Sequence, residues 1–256
     1  LKSDRGRELF LELAADADLV IENFRPGVAR RLGIDYASLR GVRADILYCS
    51  ISGFGQTGPY RDRPGFDIMA QGIGGFLRMT GQPDGKPTKV GIAINDIAAG
   101  ATAIYSILAA ELHRRQTGEG QYIDISLVDA GLAWTVWESG AYFGSGETPA
   151  QTGTRHRRSA PYQAYRTADG YVTIGANTDR LWLRLINDVL KRPDWADDKR
   201  FADLPARMAH LDDLEEEIEA ITTTLPTSAW VDRMDTAGVP GGPVLTYDET
   251  LDDPHV

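Results

Sequence analysis

The sequence predicts an α/β fold with a largely parallel sheet over residues 1–150, followed by a smaller α+β domain over residues 160–250. In the first part, short apolar stretches alternate with segments of helical periodicity, the order typical of a parallel sheet covered by helices. The second part begins with two stretches that pair as a hairpin and continues with helical segments. A polar connection at 144–159 is interpreted as the linker between the two domains.

The first domain opens with a helix that Ser3 or Asp4 caps, and then alternates between strands and helices. Strands are predicted at 19–21, 46–51 and 121–127, and helices at 67–76, 95–115 and 130–143. In the longest helix the spacing places one apolar stripe, made of Ile97, Ala101, Ile104, Leu108 and Leu112. Residues 53–65 are rich in glycine and proline and are predicted to form turns.

The second domain is predicted to start with a hairpin of 162–165 and 171–176 around the turn at 168–170. Helices are expected near 179–190, 212–223 and 228–236, with a last short strand at 244–246. The chain starts on a helix and stops at 251–256 without a closing element. We therefore expect an α/β fold without its opening strand, in a chain that is incomplete at both ends.

Composition and charge narrow the class of protein. The 256 residues are 42% hydrophobic and 25% charged, which is typical of a globular protein. The net charge of −10 argues against a general nucleic-acid binder, which would present a basic face. The longest nearly apolar stretch, 92–110, is interrupted by Asn95 and Asp96, so no membrane span is predicted. The single cysteine, Cys49, fits a reducing compartment, and we expect a cytoplasmic protein.

Several common kinds of chemistry are not supported by motifs. The four histidines are scattered and no Cys/His spacing is typical of a metal site. Residues 72–77 fail the G-x-G-x-x-G dinucleotide pattern at its last position, and no Walker loop is present. Ser50 and Ser52 follow a strand, but neither lies in a G-x-S-x-G elbow. These patterns remove classes of enzyme without supplying a positive assignment.

Three longer motifs carry a specific resemblance. They are ENFRPG at 22–27 with RLG at 31–33, SGFGQTGPY at 52–60 with RPGFD at 63–67, and TGEGQYIDISLVDA at 117–130. Two further matches are ADGYV at 168–172 and AGVPGGPV at 237–244. Together they resemble the family III coenzyme A transferases, the group of formyl-CoA and carnitine CoA-transferases that also contains α-methylacyl-CoA racemase. The resemblance implies a Rossmann-like large domain that lacks its N-terminal part, a smaller α+β domain, and an interlocked homodimer.

The resemblance assigns the nucleophile to Asp129. Taken alone, an aspartate between a strand and a helix is more often an N-cap than a catalytic carboxylate. The family position instead implies that Asp129 attacks an acyl-CoA and forms aspartyl anhydride and aspartyl-CoA intermediates. Nearby Asp124 lies within the strand pattern and is interpreted as a polar or strand-edge residue.

The resemblance also implies which residues contact coenzyme A, the co-substrate, with no permanently bound cofactor and no metal. These residues are Asn23, Phe24, Arg25, Arg31, Arg63, Pro64, Gly65 and Phe66. Without the family, Arg30 and Arg31 would be interpreted as a solvated helix face. The loop arginines Arg155, Arg157 and Arg158 are interpreted as a solvated loop, with a patch for an acceptor carboxylate or a phosphate as the alternative. Trp134 and Trp137, behind Asp129, are predicted to be core residues rather than a substrate platform.

The resulting prediction is transfer of coenzyme A from an acyl-CoA to a free carboxylic acid. One alternative is a racemase or epimerase of acyl-CoA esters, and another is an acyl-CoA-binding relative without activity. In the family's racemases a histidine stands at the position of Phe66 and acts as a second base, and phenylalanine cannot transfer a proton. Phe66 therefore favours the transferase. A run of glycines found in some relatives is replaced by 152–158, which leaves the oxyanion donors and the acyl specificity open.

Overall fold

The computed structural model describes residues 1–256, which divide into two units, Leu1–Gln151 and Thr152–Val256. The boundary falls within the segment 144–159. Unit 1 combines helices with a parallel sheet, and unit 2 combines helices with an antiparallel sheet. The mixed α/β architecture predicted from the sequence is confirmed.

Unit 1 contains three strands and eight helices. In chain order they are α1 (Asp4–Asp16), β1 (Leu19–Glu22), α2 (Val28–Leu32), α3 (Tyr36–Arg40), β2 (Leu47–Ser52), α4 (Asp67–Ile73), α5 (Phe76–Met79), α6 (Ile94–Thr117), β3 (Tyr122–Ser126), α7 (Leu127–Ala133) and α8 (Val136–Ser145). Ser3 caps α1 by accepting the Gly6 N–H. The three predicted strands are all present, with ends within two residues of the prediction. The predicted helix at 130–143 is divided into α7 and α8.

The strands of unit 1 form a sheet in the order β1-β2-β3, with both pairs parallel. Leu19 pairs with Leu47, and Tyr48 pairs with Tyr122. Because the strands are parallel, their carboxyl ends meet at one edge of the sheet, where ligands of open α/β sheets bind. The three motifs at 22–27, 52–60 and 117–130 therefore converge on that edge, although they are far apart in the chain.

The longest helix, α6, packs on the sheet through small residues. Ala98, Ala99 and Ala103 are buried together with Cys49 and Ile125. The apolar stripe identified in the sequence lies on the other side of the helix and is exposed within this chain, with Ile104 at 64% and Leu108 at 63% exposure. No helix of the chain, α6 included, combines the length and the apolar character needed to cross a membrane.

Unit 2 is built on an antiparallel sheet with the strand order β4-β5-β6. Its elements are β4 (Tyr162–Arg166), β5 (Tyr171–Gly175), α9 (Asp179–Arg184) with a π-helical turn (Leu185–Val189), a 3-10 turn (Pro193–Ala196), α10 (Leu204–Ala209), α11 (Leu211–Thr222), α12 (Thr227–Ala237), β6 (Gly241–Pro243) and α13 (Tyr247–Asp252). The predicted hairpin is confirmed. The last strand is shifted from the predicted 244–246, because Gly241 and Gly242 pair with β5.

Candidate active site

The carboxyl edge of the unit 1 sheet holds a groove of about 640 Å³. All the residues predicted to contact coenzyme A line it except Arg31, namely Asn23, Phe24, Arg25, Arg63, Pro64, Gly65 and Phe66. Phe66 is 71% exposed and stands just before α4. The wall also includes Asp96 and Leu127, which the sequence interpretation did not assign. The groove thus gathers residues from the ends of β1 and β2 and from the first turns of α6 and α7.

Arg31 lines a second groove, of about 550 Å³, together with Arg30 and Arg61. Arg25 and Pro26 line both grooves, so the two adjoin at this point. Arginine side chains suit phosphate oxygens because the planar guanidinium donates several hydrogen bonds in a fixed geometry. The arginines therefore give the second groove donors that suit phosphate oxygens, and the carboxylates Glu22, Asp35 and Asp62 line the same groove.

The loop at 53–65 is closed at its base by two glycines. A Cβ atom on either Gly53 or Gly65 would lie 2.7 Å from the Cα of the other, so neither position accommodates a side chain. Arg25 donates from Nη2 to the Asp62 carbonyl at 2.7 Å, and the Arg63 guanidinium lies 3.8 Å from the centre of the Tyr60 ring. These contacts bring 63–66 to the groove wall.

Asp129 occupies the first turn of α7 and is exposed. The N-cap of this helix is Ser126, whose hydroxyl accepts the Asp129 N–H at 3.2 Å. The interpretation of Asp129 as the cap is therefore wrong, because the helix begins directly after β3. A carboxylate in a first helical turn is favoured by the partial positive charge of the helix start.

Asp129 lines a separate, smaller cavity of about 300 Å³ rather than the 640 Å³ groove. Asp124 lines the same cavity, and its Oδ2 accepts the Gln56 N–H at 2.9 Å. Desolvation raises the pKa of Asp124 above its ordinary value, the Gln56 N–H acts in the opposite direction, and the charge of Asp129 adds to the rise. The first turn of α7 borders both spaces, with Leu127 in the groove and Asp129 in the cavity.

A buried hydrogen-bond network holds the start of α7. Asp67 accepts the Asn95 N–H at 2.9 Å through Oδ1 and the Gln71 amide at 2.6 Å through Oδ2. Asn95, which is fully buried, donates from Nδ2 to the Leu127 carbonyl at 3.0 Å. No local pattern in the sequence predicts this network. The available signal is Asn95 itself, which together with Asp96 interrupts the nearly apolar stretch 92–110.

Asp96 adds a carboxyl group to the groove wall. Desolvation raises its pKa above the ordinary range, and the neighbouring charge of Asp67 acts in the same direction. Both effects disfavour the ionised form of this group. An anionic part of a ligand is therefore better placed near the arginines of the adjoining groove than beside Asp96.

Two further predictions concern residues that line neither groove nor the cavity at Asp129. Trp134 and Trp137 are exposed within this chain, at 47% and 77%, so their assignment to the core is wrong. Arg155 pairs with Asp212 at 2.7 Å and also with Glu215, both within unit 2. Its charge is therefore engaged by carboxylates of its own unit.

The comparisons with known proteins agree with the motifs. The model of CoA-transferase family III matches residues 1–256, and the chain belongs to this family. Over 256 residues the chain is 39% identical to succinate–glutarate CoA-transferase of Agrobacterium fabrum and 37% identical to acetyl-CoA:oxalate CoA-transferase of Acetobacter aceti. Both alignments cover 100% of this chain, but only 64% and 66% of the two relatives.

A crystal structure of a CaiB/BaiF family protein from Brucella suis has the same fold. It superposes with a TM-score of 0.89 at 38% sequence identity, and the match covers 99% of this chain and 67% of that chain. The resemblance to family III is thereby confirmed at the level of both sequence and fold.

Proposed function

We propose that the protein transfers coenzyme A from an acyl-CoA thioester to a free carboxylic acid, with Asp129 as the nucleophile. The observation that carries the proposal is the position of α7, whose first turn contributes Leu127 to the groove and Asp129 to the adjoining cavity. A thioester at the end of the groove would therefore lie beside the carboxylate. Membership of CoA-transferase family III and the names of the relatives support the same reaction.

The two grooves suit the two chemical halves of coenzyme A. The arginines Arg25, Arg30 and Arg31 would bind the phosphates of the nucleotide half. Phe24 and Pro64 would pack against the pantetheine arm in the 640 Å³ groove, which leads toward Leu127. Because Arg25 and Pro26 line both spaces, one ligand can occupy them together.

The proposed chemistry begins and ends with one thioester, so the overall reaction conserves it. The Asp129 carboxylate attacks the thioester carbonyl carbon, the carbon–sulfur bond breaks, and coenzyme A leaves as a thiolate, so an aspartyl mixed anhydride remains. The thiolate attacks the aspartyl carbon, releases the donor acid and forms an aspartyl-CoA thioester. The acceptor carboxylate attacks this thioester and expels the thiolate to form a second anhydride. Attack of the thiolate on the acceptor's carbonyl carbon then releases the new acyl-CoA and restores Asp129.

Water must be kept from these intermediates because each of them can hydrolyse. The cavity at Asp129 is lined in part by the apolar side chains of Phe54 and Ile73 and by the ring of Tyr60. Phe66, which stands where the racemases of the family have a histidine, has no proton to exchange. A stereochemical inversion, which needs a base on each side of the α-carbon, is therefore disfavoured.

The experiment is an assay of the full-length protein with succinyl-CoA and a panel of free acids that includes glutarate, oxalate and mesaconate. New CoA esters are identified by mass spectrometry. The wild-type protein should form a new thioester, and Asp129→Ala should lose this activity by on the order of a thousandfold or more, as expected for removal of a covalent nucleophile. Glu119→Ala, which removes an exposed carboxylate just before β3, is the matched control.

Two outcomes would contradict the proposal. Incorporation of deuterium at the α-carbon of a branched acyl-CoA in heavy water, without a new thioester, would instead identify a racemase. Tight binding of coenzyme A with no turnover would identify a binding protein without activity.

We further propose an interlocked homodimer in the cytoplasm. The exposed apolar stripe of α6 supports association with a second copy, since large apolar patches are uncommon on monomers. Cys49 is buried and unpaired, which fits a reducing compartment. Analytical ultracentrifugation of the full-length protein tests the dimer, and a monomer at micromolar concentration would contradict it.

A further inference from the structure

The glycine loop at 53–65, which reaches from β2 to α4, is held at two separate points. On the side of the coenzyme A groove, the Arg25 guanidinium donates to the Asp62 carbonyl. On the side of Asp129, the Gln56 N–H donates to Asp124. The base of the loop is fixed by the contact of Gly53 with Gly65. The loop therefore carries groove residues near one attachment and cavity residues near the other.

Strand β3 connects the second attachment to the nucleophile. Side chains two residues apart in a strand point to the same face, so Asp124 and Ser126 share one face of β3. The Asp124 carboxylate accepts a hydrogen bond from the Gln56 N–H, and the Ser126 hydroxyl accepts one from the Asp129 N–H at the start of α7. Both side chains line the 300 Å³ cavity. One strand thus fixes the loop and the nucleophile relative to each other.

We propose that Asp124 is a positioning residue of the transfer reaction, which accepts the Gln56 N–H and thereby sets the turn at 55–58 against Asp129. This inference rests on the proposed function. The turn has two glycines in the left-handed region, Gly55 with φ 79° and Gly58 with φ 80°. A Cβ atom on Gly55 would lie 3.5 Å from Asp124 Oδ2, so the backbone approaches the carboxylate closely.

The charges around Asp124 support its assignment as a positioning residue. Its carboxylate stands near that of Asp129, and like charges disfavour each other. The carboxylate of Asp124 is therefore held beside that of Asp129 against their mutual repulsion. The N–H of Gln56 is the one donor that compensates the charge of Asp124 within the chain.

The test separates the two attachments of the loop by steady-state kinetics. Asp124→Ala should lower kcat roughly tenfold to a hundredfold, the effect of misplacing a reacting group by about 1 Å, while the KM for acyl-CoA stays near the wild-type value. Asp124→Asn retains a carbonyl oxygen that can accept the Gln56 N–H, and it should recover most of kcat. Arg25→Ala, at the other attachment, should mainly raise KM. Glu119→Ala is again the matched control.

Hydrogen exchange at the backbone N–H of Gln56 gives a readout that does not depend on turnover. Exchange should be faster in Asp124→Ala than in the wild-type protein, and near the wild-type rate in Asp124→Asn and Asp129→Ala. Asp129→Ala would thus lose transfer but keep this protection. Absence of transfer in the wild-type protein would reject the proposed function, while the exchange rates would still test the attachment.

Three outcomes would overturn the inference. The first is a wild-type kcat in Asp124→Ala. The second is an equal loss of kcat in Asp124→Asn and Asp124→Ala with unchanged thermal unfolding, which would assign the effect to charge. The third is an unchanged exchange rate of Gln56 in Asp124→Ala.

Discussion

Replacement of Gly131 by alanine tests whether the network beneath α7 determines the position of the nucleophile. Gly131 lies one turn from the helix start, against Asn95. An alanine Cβ would stand 2.1 Å from Asn95 Nδ2 and 2.8 Å from Cγ, far inside van der Waals contact. Asn95 is fully buried and bonded to the Leu127 carbonyl, so a shift of its side chain would weaken that hydrogen bond. Either α7 or Asn95 must shift.

Two opposing contributions decide the sign of the effect. An alanine in a helix is favoured over glycine by about 0.5–1 kcal/mol when nothing obstructs it. Inserting a methyl group into a packed interior costs about 1–3 kcal/mol. The overlap is severe, and displacement of Asn95 would also weaken a buried hydrogen bond worth about 1 kcal/mol. We therefore expect Gly131→Ala to reduce the free energy of unfolding of unit 1 by about 1–3 kcal/mol.

The assay is urea unfolding followed by hydrogen exchange of peptides from α6 and α7, so that unit 1 is measured apart from unit 2. Gly140→Ala is the matched control, because Gly140 lies in α8 with no atom within 4 Å of its added Cβ. The control should be as stable as the wild-type protein or more stable. Combining Gly131→Ala with Asn95→Ala should recover part of the loss. A Gly131→Ala protein as stable as the control would refute the reasoning.

Two further predictions concern stability elsewhere in the chain. Glu111 accepts hydrogen bonds from Arg114 and Arg115, which lower its pKa to about 2. The stabilisation from Glu111 is therefore complete at a pH above the ordinary pKa of 4.5, and it is lost as the pH falls toward 2. In Glu111→Gln, the urea midpoint of unit 1 should therefore change less with pH over this range than in the wild-type protein. In unit 2, buried Arg207 donates to the carbonyls of Ala160 and Phe201. Arg207→Leu should therefore destabilise unit 2 by about 2–5 kcal/mol, because both buried carbonyls lose their donor. The measurement is urea unfolding followed by tryptophan fluorescence, and the exposed Arg233 is the control position.

The strands of unit 1 and their direction could be predicted from the sequence because both rest on local patterns. Apolar stretches such as 46–51 are short and alternate with segments of helical periodicity, which is sufficient to predict a parallel sheet. The start of α7 could not be predicted in the same way. Leu127 and Val128 fit a strand and a helix equally well, so the sequence pattern extends the strand to 127 and places Asp129, rather than Ser126, at the cap.

The wrong predictions for the apolar residues have a different physical cause. Apolar spacing shows that a helix has an apolar face, but not which neighbour covers it. In α6 the alanines face the sheet and the larger residues, such as Leu108, face away from it. Trp134 and Trp137 are likewise large apolar residues that are exposed within this chain. The network of Asn95 links residues 32 positions apart, and no local pattern encodes it.

The groove residues do not contribute to the site by ligand contacts alone. Asn23 donates from Nδ2 to the Ile51 carbonyl at 2.6 Å, and Arg25 donates to the Asp62 carbonyl, so both side chains hold the backbone that shapes the groove. The Arg63 guanidinium instead lies over the Tyr60 ring, 3.8 Å from its centre. A rise in KM on replacing Arg63 would therefore combine a lost ligand contact with a changed packing of Tyr60, without the loss of a side-chain hydrogen bond to the loop backbone. The same rise at Asn23 or Arg25 would combine a lost contact with a displaced loop, and only a structure of the variant would separate the two.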